Sequence, residues 1–311
     1  MSERVRIGRN PTVVALGIIA VICLATGAWL SGKRCKPIGV GTPIGSSKII
    51  FSKELNIYSM NLDGTAVTQL TSLPSANYNP IFSPDGSKII FTSGRDGYHH
   101  MEIYVMNADG SDQRRLTYND EGYKSGLSIS PDGHKILYQF VAHADGPLIT
   151  RMMDACGRPL PPPGNVSGRS SFSADGNKIV FDYDADLFLA NADGMNQTRL
   201  TKNGSDPSFN PDGRRIVFIN RHAVPRFNQL GPKPTIADGI AVINSDGTGY
   251  QKLNDLSASS PKFTRDGRQI VFSGSSSQGT DNDIYIMNAD GSGLQNLTNT
   301  PQQHDEDPDV R

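Results

Sequence analysis

Residues 107–110 read NADG, and the same four letters return at 191–194 and 288–291. Near copies stand at 61–64 (NLDG), 154–157 (DACG) and 244–247 (NSDG), so one short unit is used six times. A second turn recurs between them: SPDG at 83–86 and 130–133, SADG at 173–176, NPDG at 210–213 and TRDG at 264–267. One residue after each of these come KIIF, KILY, KIVF, RIVF and QIVF. Short runs rich in Ile, Val and Phe, bounded by Asp-Gly turns, are strands.

A further strand precedes each NADG, most clearly Glu102–Met106 and Asp283–Met287, and another follows it, ending in Leu-Thr at Leu70-Thr71, Leu116-Thr117, Leu200-Thr201 and Leu297-Thr298. Each unit therefore holds four short strands. Successive glycines of this turn (Gly64, Gly110, Gly157, Gly194, Gly247, Gly291) are 37 to 53 residues apart. Four strands at that period are the signature of propeller blades. The expected fold is an all-β, six-bladed β-propeller of four-stranded blades, and 36% hydrophobic residues suffice for its core. The first unit keeps Lys48–Phe51 but lacks an inner strand, while the chain finishes in Asp307-Pro308-Asp309-Val310, which parallels Asp206-Pro207-Ser208-Phe209. The last residues are expected to close the ring by completing blade 1, leaving no exposed edge. In blade 3, Pro161-Pro162-Pro163 replaces the Leu-Thr ending, so its outer strand is expected to be short.

The succession of Pro80-Ile81-Phe82-Ser83-Pro84-Asp85-Gly86, KIIF, EIYVMNADG and RRLT resembles the propeller repeat of the TolB family, also described as WD-repeat-like. The resemblance covers about residues 46–311 and implies the fold. It leaves activity open, since the same repeat serves binding proteins, peptidase propellers and lyases. TolB carries an α/β domain before its propeller. The expected organisation here is instead a basic tail (1–11), a membrane segment (12–30), a linker (31–45) and the propeller (46–311), without that domain.

The Asn, Asp and Gly of the repeats raise a choice between a cation loop and a turn. A calcium loop of the EF-hand kind needs an oxygen ligand two residues before the Asn and a Glu six residues after the Gly. Those positions hold Val105, Leu189, Val242 or Ile286 at one end, with Ser59 the only oxygen, and Leu70, Leu116, Leu200, Leu253 or Leu297 at the other. Both ends belong to a core. The turn reading fits every letter: Asp bonds nearby backbone and Gly supplies a positive φ. Asp85, Gly86, Asp109, Gly110, Asp132, Gly133, Asp193, Gly194, Asp246, Gly247, Asp290 and Gly291 are therefore read as structural.

Both turn types fall on one face of the ring, and the loops of varying length fall on the other. That variable face gathers Arg95, Asp96, His99 and His100 from blade 2, His143 and Asp145 from blade 3, and Asp182, Asp184 and Asp186 from blade 4. Blade 5 adds an insertion at 220–238 with Arg221, His222, Arg226, Phe227 and Lys233, and His304 stands in the last linker. Arg95, His99, His100, His143, Arg221, His222, Arg226 and Phe227 are the candidate binding residues. His100, His143, His222 and His304 are the candidate ligands should a transition metal bind, since imidazole suits such ions. Oligogalacturonate lyases with propellers hold a metal through histidines, but no copy of their motif is visible here. No G-x-S-x-G elbow, P-loop or paired-cysteine zinc motif occurs, and no organic cofactor is called for.

Residues 12–30 run without a charge, long enough to cross a membrane as a helix, with Arg4, Arg6 and Arg9 before them and Lys33, Arg34 and Lys36 after. An uncleaved signal anchor is the preferred reading, with a cleaved secretory signal as the alternative. Cys35 and Cys156 can pair in an oxidising compartment, though sequence supplies no geometry for it. Near-zero net charge, 30 basic against 31 acidic residues, argues against a general nucleic-acid surface. The expectation is a non-catalytic, membrane-anchored propeller on the periplasmic or extracellular side, binding an envelope protein or a glycan. The alternative is a metal-dependent carbohydrate-active enzyme with a His-rich site at the channel mouth.

Overall fold

The computed structural model describes residues 35–42, 47–72, 75–97, 100–118, 122–142, 146–221, 239–275 and 281–311. They form six four-stranded antiparallel sheets. Blade 2 is typical: Asn77–Phe82 is the inner strand, Lys88–Ser93 and Glu102–Asn107 are the second and third, and Arg114–Arg115 forms the outer edge. Blade 1 is completed as the sequence suggests. Asp305–Val310 pairs antiparallel with Lys48–Lys53, matching Ile49 with Val310 and Lys53 with Asp305. Beyond the strand, Lys48 N donates to Arg311 O at 2.7 Å and Arg311 N to Lys48 O at 2.9 Å.

The second strands read as unbroken apolar runs because both of their faces are covered. Ile49, Ile50 and Phe51 are all fully buried, as are Ile89, Ile90 and Phe91. Alternation of apolar and polar residues belongs to sheets with one wet face, and these have none. The apolar residues sort into six clusters, each shared by two neighbouring blades. Ile50, Ile57, Leu70, Ile89, Phe91, Tyr104 and Met106 join blades 1 and 2, and Ile49, Phe51, Met60, Val271, Ile284, Ile286 and Val310 join blades 1 and 6. Burying one such side chain contributes about 1.5–3 kcal/mol.

The NADG turns serve the same seams. Asp109 Oδ1 accepts from Ser111 N at 2.9 Å and from Ser111 Oγ at 2.6 Å, and Gly110 N donates to Asn107 O at 2.9 Å. Gly110 has φ +88°, and a Cβ there would lie 2.7 Å from the carbonyl oxygen of Leu70 in blade 1. Glycine is thus required twice, by its own backbone and by its neighbour's. The Leu-Thr ending ties the outer edge to the third strand of its own blade: Thr71 Oγ1 accepts from Ile57 N and Thr117 Oγ1 from Ile103 N, each at 2.9 Å.

Three readings are amended. The outer strand of blade 3, Pro159–Leu160, is short, but blades 1, 2, 5 and 6 also have two-residue outer strands. What the prolines change is position: Pro161 and Pro162 have no N–H to donate, and pairing moves to Met152–Leu160 and Met153–Pro159. Cys35 and Cys156, unsupported by sequence geometry, form a disulfide with Cα atoms 5.8 Å apart across 121 residues. They meet because part of the expected linker lies on the ring: Ile38 N donates to Gly133 O and Asp85 N to Gly39 O, each at 2.9 Å, and Ile38 is buried between blades 2 and 3. The apolar stretch 12–30, read as a membrane or signal segment, lies outside the described residues. Among those residues no helix is long and apolar enough to cross a membrane.

Gly110→Ala is expected to destabilise the ring by at least the 1–3 kcal/mol, roughly, of a forced left-handed residue, with the Leu70 clash added. Urea denaturation of the two proteins measures it, and equal midpoints would contradict the double role given to this glycine.

Candidate functional site

The inner strands carry a feature that the turn motifs hide. Seven residues before each PDG-type glycine stand Asn79, Gly126, Arg169, Asp206 and Ser260, and Asp307 takes this place in the closing strand. Asn79, Gly126, Asp206, Ser260 and Asp307 have φ between +50° and +58°. Pairing with the second strand breaks register at each of these bulges. The bulge turns these side chains to one another across the channel. Arg169 NH1 bonds Asp206 Oδ2 at 2.6 Å and Ser260 Oγ at 3.2 Å; Ser260 N donates to Asp206 Oδ2 at 2.8 Å. Ser260 Oγ donates to Asp307 Oδ1 at 3.2 Å, and Asn79 Nδ2 to Asp307 Oδ2 at 2.6 Å. About 40 Å³ of space is left among them, room for a few water molecules. The channel is plugged at this level by its own side chains.

Two residues further along, the side chains bind blade to blade. Ser128 Oγ accepts from Phe172 N at 3.4 Å, Ser171 Oγ from Phe209 N at 3.5 Å, and Asp309 Oδ2 from Phe82 N at 2.7 Å. The plug is electrostatically uneven. Burial works against a charged Asp206, yet Arg169 and Lys262 hold its pKa below the usual range. Burial pushes Asp307 and Asp309 upward, only partly offset by Arg169 and Lys262 respectively. Asp182, on the variable side, is raised to about 6 by burial and then by the charge of Asp206.

The variable-face candidates among the described residues are dispersed. Arg95, read as a binding residue, spends its guanidinium within blade 2: Nε on Ser93 Oγ at 2.9 Å, NH1 on Gln113 Oε1 at 2.9 Å and NH2 on Asn77 Oδ1 at 3.1 Å. It also lies 4.4 Å from the ring centroid of Tyr104. One donor from each of its three nitrogens thus braces the blade. His100 sits at the seam between blades 2 and 3, bridged to Gly122, with Nδ1 buried and unbonded. His304 lines a separate hollow with Lys53, Glu54, Tyr78 and Glu306. Arg221 is exposed at the start of the blade 5 insertion, its N bonded to Asn203 O. His99, His143, His222, Arg226 and Phe227 lie outside the described residues. Among the described residues, the only group of three close ligand atoms is Cys35, Asp154 and Cys156, two of which are spent in the disulfide.

Two features were missed by sequence reasoning. One is an ionic knot at the seam of blades 2 and 3, where buried Glu102 meets Lys124 at 3.3 Å and Arg115 at 3.0 Å. The other is a cleft of about 910 Å³ between blades 3 and 4, lined by Leu148, Ile149, Met152, Phe181, Tyr183 and Phe188 among others. Leu148, Ile149 and Tyr183 are 40%, 40% and 57% exposed. The three prolines were its signal: they shift the outer strand that covers this side of the other blades.

Residues 42–154 match a family model described as the Tricorn protease N-terminal beta propeller domain. The chain is 28% identical over 182 residues to the uncharacterized peptidase YuxL of Bacillus subtilis (strain 168), covering 58% of this chain and 27% of that one. It is 29% identical over 170 residues to the Protein TolB homolog of Chlorobium luteolum, covering 53% and 28%. The chain thus spans little more than a quarter of either relative's length. TolB from Acinetobacter baumannii superposes with a TM-score of 0.70 at 19% identity, over 85% of this chain and 66% of that one, a likeness of fold.

The channel acids give stability a pH dependence. A carboxyl whose folded pKa is raised, like Asp182 at about 6 against 3.8, contributes stability that is fully present below 3.8 and lost as pH rises through 6. Asp307 and Asp309 act in the same direction. Turn aspartates such as Asp85 and Asp132 are lowered, so their contribution is lost only as pH falls below the usual carboxylate range. Stability by urea denaturation is therefore expected to rise from about pH 7.5 to 5 and fall in stronger acid. Asp182→Asn is expected to flatten the first limb; an unchanged slope in this variant would contradict the assignment.

Proposed function

Starting from a TolB-like six-bladed propeller, we propose that this chain is a non-catalytic binding module of the cell envelope whose variable-loop face receives a protein partner. The observation that carries this reading is the cleft between blades 3 and 4. An apolar trough of that size with partly exposed Leu148, Ile149 and Tyr183 is the surface a protein side chain buries well, and exposed apolar patches mark interaction sites. A glycan, hydroxyl-rich and polar, gains less from it. The channel supports the same reading, because its own side chains fill one level of it and leave the rims and the loops as the larger surfaces.

The Cys35–Cys156 disulfide supports an envelope location, since such bonds persist in oxidising compartments and are rare in the cytosol. Together with the uncharged stretch 12–30, it favours a propeller held outside the membrane by a signal anchor. The insertion at 220–238, with Arg221, His222, Arg226 and Phe227, is the further contact element of this face.

A photo-crosslinking side chain placed at Tyr183 in living cells is expected to trap a discrete protein adduct, whereas the same group at exposed Tyr250, on the tight-turn side, is not. Absence of an adduct at 183, or the same adducts from both positions, would overturn the reading. Thiol labelling tests the compartment: in denatured full-length protein taken from cells, Cys23 alone is expected to react before reduction and all three cysteines after it. Three reactive thiols without reductant would place the propeller in a reducing compartment.

A further inference from the structure

The two turn families are so regular that their departures stand out, and two of these meet at one end of the channel. In blade 6 the second position of the PDG turn is Arg265, where blades 2, 3 and 5 have Pro84, Pro131 and Pro211 and blade 4 has Ala174. In blade 1 the closing strand has no such turn, and Arg311 stands where the other blades carry a small turn-capping residue, Ser83, Ser130, Ser173, Asn210 or Thr264. Blades 6 and 1 are neighbours, so the two arginines line one cavity of about 270 Å³ on the tight-turn face, together with Lys48, Ser47, Ser59 and one acid, Asp109, against three cations.

Arg311 reaches this cavity over the turn of blade 2. A Cβ at Gly86 would lie 2.4 Å from Arg311 Cδ and 2.6 Å from Nε, so the missing side chain makes the space for the guanidinium. NH1 donates to Ser83 O, while NH2 is buried with no hydrogen-bond partner. Arg265 is exposed and, among the described residues, makes no side-chain hydrogen bond or ion pair. Asp85, Asp109 and Asp309 each have one oxygen engaged by a neutral donor, Asp85 Oδ1 by Ser83 and Ser87, Asp109 Oδ1 by Ser111 and Asp309 Oδ2 by Phe82 N, and among the described residues none of them forms an ion pair with Arg265 or Arg311. A buried guanidinium nitrogen without an acceptor is costly, and two cations at one cavity repel. Burial first, and the charge of Arg265 second, lower the Arg311 pKa to about 10, only partly offset by Asp85 and Asp309.

We propose that this mouth of the channel is an oxyanion site that binds a phosphoryl group. Guanidinium forks match phosphate oxygens geometrically, and two of them with an ammonium, arriving from three blade segments, suit a dianion with several acceptors. A carboxylate engages one fork and leaves the second cation uncompensated. The hydroxyls of Ser47 and Ser59 line the same cavity and add donors for the several oxygens of a phosphoryl group. The site is separate from the variable face: it lies at the opposite end of the ring, on the side of the turns.

Isothermal titration calorimetry of the full chain with inorganic phosphate tests this. Saturable binding is expected, weakened at least about tenfold in Arg265→Ala, the loss that follows removal of a charge-assisted bond. Arg311→Lys, which keeps the charge but loses the fork, is expected to weaken binding as well, with its folding checked by urea denaturation. Arg114→Ala, an exposed arginine on the outer edge of blade 2, is expected to bind as the parent does. Glycerol phosphate as a second titrant separates the sources: tighter binding than inorganic phosphate assigns the site to a phosphate ester such as a lipid headgroup, weaker binding to the free ion. The proposal fails if phosphate does not saturate, if Arg265→Ala and Arg114→Ala bind alike, or if acetate competes as well as phosphate.

Discussion

No blade of this ring has a core of its own. The middle strands are buried on both faces, and each of the six apolar clusters is shared by two blades. A blade is therefore stable only between neighbours, and the last seam must be made by pairing Asp305–Val310 with Lys48–Lys53. The rest of the design follows from this dependence. The second strands need no polar alternation. The NADG glycines must leave room for the preceding blade's chain, as Gly110 does for Leu70 and Gly64 does for Leu297 across the closing seam.

The inner strands meet a different constraint. Six strands converge on a narrow axis lined by polar groups that must find partners. Bulges place the short polar residues Asn79, Asp206, Ser260 and Asp307 at one level, where with Arg169 from the unbulged strand of blade 4 they satisfy one another. This network ties five blades together independently of the apolar seams. It also accounts for buried acids on the closing strand: Asp307 and Asp309 hold partners in blades 2 and 6, and the desolvation of those carboxyls is the cost of the connection.

In a ring of near-identical units, individual function resides in the exceptions. Pro161-Pro162-Pro163 removes outer-strand donors and accompanies the cleft between blades 3 and 4. Arg265 in place of a turn proline, and Arg311 in place of a turn serine, put two cations at one mouth. Arg95, by contrast, looked like an exception on the variable face, yet its donors are absorbed by Ser93, Gln113 and Asn77. An unusual residue becomes available to a ligand only where its own blade leaves its polar atoms unbonded.

The fold was legible because its determinants are local and repeated. Asp-Gly turns, unbroken apolar runs and Leu-Thr endings are each decided within a few residues, and their period sets the number of blades. Even the closure could be read, since Asp307-Pro308-Asp309-Val310 repeats the lead-in of Asp206-Pro207-Ser208-Phe209. The channel ring was written at a fixed offset from the turns but is unremarkable as letters: Asn, Gly, Arg, Asp, Ser and Asp share no chemistry until the bulges turn them toward one axis. Contacts between residues far apart in the chain were beyond sequence. Cys35 and Cys156 are 121 residues apart, and they pair because residues 35–42 lie against blades 2 and 3. Periodicity determines which strands form and how many, because backbone and apolar surface act locally. Which polar groups meet, and which are left without a partner, is decided only when the ring closes.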